Sequence, residues 1–137
     1  MGLEEKYPDI LQNIEFGIVN VYRDDDTLRD LDVIKALDAL TSHYQRRAMG
    51  RDSEETGLPE KPALIFSVVQ KILENRRTAS EESADRPQRR RFSRALREPT
   101  QDEVFLACLR KIEKSAKRWN KERGERGYLD FVSDYIV

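Results

Sequence analysis

The chain has 137 residues, of which 37% are charged, 38% hydrophobic and 8% aromatic. That length suits one domain, and a charge content well above the roughly 25% of an average soluble domain means a thin core under a heavily charged surface. Its 25 basic and 26 acidic side chains leave a net charge of −1, which excludes an overall electrostatic pull toward nucleic acid or membrane and leaves only local patches to be read.

Tyr7, Ile10, Leu11, Ile14, Ile18 and Val21 recur at spacings of three and four, which predicts a first helix from about Pro8 to Arg23 with the proline in its first turn. Phe16, Val19 and Tyr22 fall outside that stripe. The helix is therefore apolar over more than one face, as expected of a central helix or of one at an interface. Three aspartates, Asp24 to Asp26, precede Thr27 and Asp30, a spacing that reads as a capping box. The second helix then runs to about Met49 on a stripe of Leu28, Leu31, Ile34, Leu37, Leu40, Thr41, Tyr44 and Ala48. So short a link predicts that the first two helices form an antiparallel hairpin.

Residues 51 to 62 are polar and broken by Gly57 and two prolines, so a flexible loop is expected there. A third helix is expected from about Pro62 to Arg76, burying Leu64, Ile65, Val68, Val69, Ile72 and Leu73, and a second flexible segment at 77 to 88. Phe92, Ala95 and Leu96 sit at helical spacing among Arg89, Arg90, Arg91, Arg94 and Arg97, which predicts a short amphipathic helix near 89 to 97. Thr100, directly after Pro99 and three residues before Glu103, caps the next helix, whose inner stripe is Phe105, Cys108, Leu109, Ile112, Ala116 and Trp119. A break at Gly124 to Gly127 leads into a last helix with Tyr128, Phe131, Val132, Tyr135 and Ile136 on one side. The fourth and fifth helices should make a second antiparallel hairpin. The expected fold is thus one all-α domain of five main helices.

Most catalytic chemistry is excluded by residue type. His43 is the only histidine and Cys108 the only cysteine, so zinc sites needing two such ligands of one kind cannot form in one chain. Cys108 falls on a core stripe, which makes a Cys108–His43 nucleophilic pair a poor reading. Arg29 stands where a calcium loop starting at Asp24 needs glycine, and Leu40 stands where a di-iron bundle needs glutamate before His43. Glu122 with Glu125 and Asp130 with Asp134 are acid pairs near one turn, without the longer run of spaced acids that a magnesium site calls for. No metal and no cofactor are expected. The longest mainly apolar charge-free run, Pro62 to Gln70, is far shorter than the roughly 20 residues of a membrane span. The acidic start lacks the pattern of a signal peptide, and a lone cysteine suits a reducing compartment, so a cytoplasmic protein is expected.

What remains is charge and apolar surface. Arg89, Arg90, Arg91, Arg94 and Arg97, with Lys114, Lys117, Arg118 and Lys121 of the fourth helix, form a basic set able to meet phosphate or an acidic partner. RRTAS at Arg76 and RRFS at Arg90 match basic-directed phosphorylation patterns that arise by chance in such segments. Phe16, Val19, Tyr22, Leu129 and Ile136, off the main stripes or at the chain's end, are the expected interface of a homodimer. The reading is a protein-interaction or assembly module, with nucleic-acid binding through 89 to 97 and the fourth helix as the alternative.

Overall fold

The computed structural model describes residues 3–51, 57–83 and 100–136; the expected helix near 89 to 97 and its arginines lie outside them. Among the described residues five α-helices follow a 3₁₀ turn at Leu3–Lys6: α1 Pro8–Asp24, α2 Asp30–Ala48, α3 Glu60–Ser83, α4 Gln101–Arg123 and α5 Gly127–Ile136. No strand occurs among the described residues. The fold is all-α.

Local chemistry sets the helix ends. Thr100 Oγ1 accepts from the Glu103 backbone at 3.2 Å while the Glu103 carboxylate accepts from the Thr100 N–H at 2.7 Å, the capping box expected for α4. The box expected at Thr27 and Asp30 does not form. Thr27 turns back onto Asp25, whose Oδ1 accepts from the Thr27 N–H at 3.0 Å, and α2 starts instead at Arg29, whose N–H donates to Asp32 at 3.0 Å. Asp30 is thereby turned into the core, and Leu31 is left 53% exposed on the opposite face. The buried side of α2 is Val33, Ala36, Leu37, Leu40 and Tyr44.

Helix α3 runs to Ser83, so residues 77 to 83 are helical and not a loop. Ion pairs carry it past its apolar stripe: Arg76 meets Asp9 at 2.6 Å, and Arg77 lies 3.9 Å from Glu74 and 4.0 Å from Asp102. Within the stripe Ile65, Val69 and Leu73 are buried, whereas Leu64 is 45% exposed.

These contacts also give the helix directions. Asp9 of α1 lies by Arg76 of α3, and Lys61 of α3 donates to Thr27 just past α1, so α1 and α3 are antiparallel. Arg47 of α2 reaches Glu74 of α3 at 2.6 Å and Asp102 of α4 at 3.8 Å, while the Asp30 N–H donates to the Glu125 carbonyl at 2.7 Å. Helix α2 is therefore parallel to α3 and antiparallel to α4. The two chain-adjacent helices α1 and α2 run in opposite directions, but α1 packs mainly on α3 and α2 mainly on α4. Because α2, at 19 residues, rises about 28 Å, a parallel α3 can begin only after a connection that returns that distance. One such crossover is a known way to close a helical bundle. Helix α5 folds back on α4 and also touches α1 and α2. The core, with Ile14, Ile18, Leu37, Leu40, Ile65, Val69, Phe105 and Leu109 fully or almost fully buried, runs between all of them.

Candidate functional site

Helix α4 buries Phe105, Leu109, Ile112 and Ala116, and at 3.6 residues per turn this sends Arg110, Lys114, Lys117, Arg118 and Lys121 to the opposite side, where all five are exposed. Lys114, Lys117, Arg118 and Lys121 are thus brought onto one face, as the sequence expected. The ridge from Arg110 to Lys121 is about 17 Å long at 1.5 Å per residue. Acids stand only at its margins: Glu113 takes Lys117 at 3.2 Å and Glu122 takes Arg118 at 4.0 Å. Arg89, Arg90, Arg91, Arg94 and Arg97 lie outside the described residues.

At the lower end of that helix Trp119 stacks on Phe131 of α5, ring centroids 5.0 Å apart and planes at 22°. The Arg118 guanidinium lies 5.6 Å and that of Arg123 4.5 Å from the Trp119 ring, so the indole is covered by cations as well as by its aromatic partner. Asp130 and Asp134 border the cavity of about 290 Å³ beside it. The other acid pair, Glu122 and Glu125, is turned to cations, Glu122 to Arg118 and Glu125 to Arg29. No group of three or more metal-ligating side chains is assembled among the described residues.

The dimer surface expected from α1 is corrected. Val19 is 6% and Tyr22 2% exposed, because α1 has neighbours on several sides, α3, α4 and α5, and a residue off the main stripe still meets one of them. Phe16 remains 42% exposed. Leu129 is half-buried against the core, and the side chain of Ile136, in the last turn of α5, lies outside the described residues.

Two polar clusters that the sequence did not reveal tie the bundle together. At one end Asp30 accepts from the Tyr22 hydroxyl at 3.1 Å and from the Tyr128 N–H at 3.0 Å, and the Tyr128 hydroxyl donates to Glu15 at 3.4 Å. Arg126 stands over the Tyr22 ring at 5.2 Å. Burial pushes the Glu15 carboxyl up to about 7, against the pull of its Tyr128 hydrogen bond and of Lys111. Burial likewise raises Asp30, Tyr22 and Tyr128, so these phenols stay protonated and act as donors. At the other end the Tyr44 hydroxyl donates to Glu74 at 2.9 Å, within the group of Arg47, Arg77 and Asp102. His43 sits beside this group 3.3 Å from Gln70, its basicity lowered by burial and then by Arg47. Cys108 is buried in the core of α4, where a thiol serves as a small hydrophobe.

Asp30 and Tyr128 are 98 positions apart, and Glu15 and Tyr128 are 113. No local pattern carries such a pairing; the one trace is an acid, Glu15, next to Ile14 on a core-facing turn. Comparison of the chain with protein-family models, with curated proteins and with solved structures gives no match.

Proposed function

We propose that the protein is a small, non-catalytic docking module whose contact element is the outward ridge of α4, and that its partner is an acidic segment of another protein. The observation that carries this is the run of five exposed cations, Arg110, Lys114, Lys117, Arg118 and Lys121, with acids only at its edges. Buried Asp30, by contrast, is taken up in joining helices. A ridge about 17 Å long spans only about five phosphates of one strand at ~3.4 Å of axis each, fewer than the 6–10 contacts of proteins whose binding rests on the phosphate backbone. Glu113 and Glu122 would also repel a phosphate chain lying along its flanks. A lone buried thiol suits the reducing cytoplasm, and no described helix is long and apolar enough to cross a membrane.

The test is a pull-down from native lysate with wild type and with Lys114→Glu/Lys121→Glu, each with and without nuclease. Partners that survive nuclease and disappear with the charge reversal are the expected result. Partners lost to nuclease would favour nucleic acid instead. A second reading, assembly with another copy of the chain, is supported by the exposure of Phe16. Light scattering after size exclusion checks it, a dimer mass that Phe16→Ser returns to monomer being the supporting outcome.

A further inference from the structure

We propose that the recess between α1, α4 and α5 binds a small aliphatic zwitterion, an α-amino acid about the size of leucine, with its ammonium group on Glu15 and its carboxylate on Lys111. The recess has a volume of about 160 Å³ and is lined by Leu11, Glu15, Lys111, Ile112, Ser115 and Phe131. That is the liquid volume of roughly five waters at ~30 Å³ each, too small for a nucleotide.

Its chemistry is divided. Leu11, Ile112 and Phe131 supply apolar walls, while Glu15, Lys111 and Ser115 bring the polar groups. Such a recess, mostly apolar with a few convergent polar groups, is the usual form of a small-molecule site. Glu15 is only 8% exposed, and its one hydrogen bond among the described residues, from the Tyr128 hydroxyl, is long at 3.4 Å and occupies a single oxygen. Lys111 is close enough to favour the carboxylate, yet no ion pair joins the two among the described residues. Opposite charges therefore face one recess without meeting. An amine alone would leave Lys111 unanswered, and a carboxylate alone would leave Glu15 buried without a cation. A zwitterion satisfies both and lays its side chain on the apolar walls, with the Ser115 hydroxyl one turn beyond Lys111.

Tyr128 from α5 and Lys111 from α4 are the titratable groups acting on Glu15, and with burial they set its carboxyl at about 7. At pH 7 it is close to half protonated, so an arriving ammonium group should displace about half a proton. Calorimetry on the full chain with L-leucine at pH 7, in phosphate and in Tris, reads this as a buffer-dependent heat. Isopentylamine and 4-methylpentanoate, which are leucine without its carboxylate and without its ammonium group, should bind about tenfold more weakly or worse. Glu15→Gln keeps an oxygen for the Tyr128 hydroxyl and should melt as a helical protein, but lose the proton release and about tenfold in leucine affinity. Lys111→Met should weaken leucine and leave isopentylamine unchanged. No saturable heat at millimolar leucine, equal binding by wild type and Glu15→Gln, or equal affinity for isopentylamine would each overturn the proposal.

Discussion

Asp30 shows how much one side chain can hold. It is fully buried and answers two donors from other helices, the Tyr22 hydroxyl of α1 and the Tyr128 N–H of α5. Asp30→Ala leaves both buried donors unpaired, and since each orphan costs about 1–3 kcal/mol, a loss of about 3 kcal/mol is expected in urea denaturation. Asp30→Asn retains an acceptor and should lose less. Glu15 makes stability depend on pH in a direction opposite to most surface carboxylates. Its carboxyl rises from 4.5 to about 7 on folding, so the folded state holds the proton more tightly. The stability this contributes is present below the unfolded value and is lost as pH rises through about 7. Between about pH 5 and 8 the wild type should lose about 2 kcal/mol relative to Glu15→Gln, after allowance for solvent at the mouth of the recess. Parallel pH profiles of the two proteins would refute this.

The elements stand or fall on their ends. The turn between α4 and α5 needs two glycines for two different reasons. Gly124 has φ of +99°, a backbone region that a side chain strains. Gly127 instead lacks room: a Cβ there would lie 2.7 Å from the Trp119 carbonyl oxygen and 2.6 Å from Arg123 Cβ. Helix backbone cannot move aside cheaply, so Gly127→Ala should cost about 2 kcal/mol. Gly17 offers the contrast, because its added Cβ would meet the mobile end of Ile72 at 2.6 Å, and the gain in helix propensity of about 1 kcal/mol offsets much of the clash. Thermal melts of Gly17→Ala and Gly127→Ala should therefore separate clearly, with Gly127→Ala the lower. At the other end of α4, Thr100→Ala removes the capping hydroxyl and should cost about 1 kcal/mol, read from the same melts.

At the scale of the whole molecule, side-chain polar contacts tie the helices to one another at both ends. Asp30 joins α1, α2 and α5, while Arg47 and Glu74 join α2, α3 and α4 at the opposite end. Trp119, the single tryptophan, stacks against α5 and so reports the α4–α5 corner. Urea unfolding followed by far-ultraviolet circular dichroism and by Trp119 fluorescence should give coincident transitions. An earlier fluorescence transition would mean that α5 detaches before the rest unfolds.

The helical nature of the five described helices, the Thr100 cap and the exposed ridge of Lys114, Lys117, Arg118 and Lys121 were legible because each depends on residues three or four apart, a distance the backbone itself sets. The same local rules failed at Thr27, where the turn and the cap compete for one hydroxyl and packing decided for the turn. They also stopped α3 too early, since the ion pairs of Arg76 and Arg77 with Asp9 and Asp102 come from other helices. Whether an apolar residue faces solvent was likewise a tertiary matter. Val19 and Tyr22 looked like interface, yet neighbours that no local spacing announces cover them. The parallel course of α2 and α3, and with it the meeting of Glu15, Asp30 and Tyr128, was settled only when helices far apart in sequence chose partners for their apolar faces, because periodicity states which face is buried and never against what.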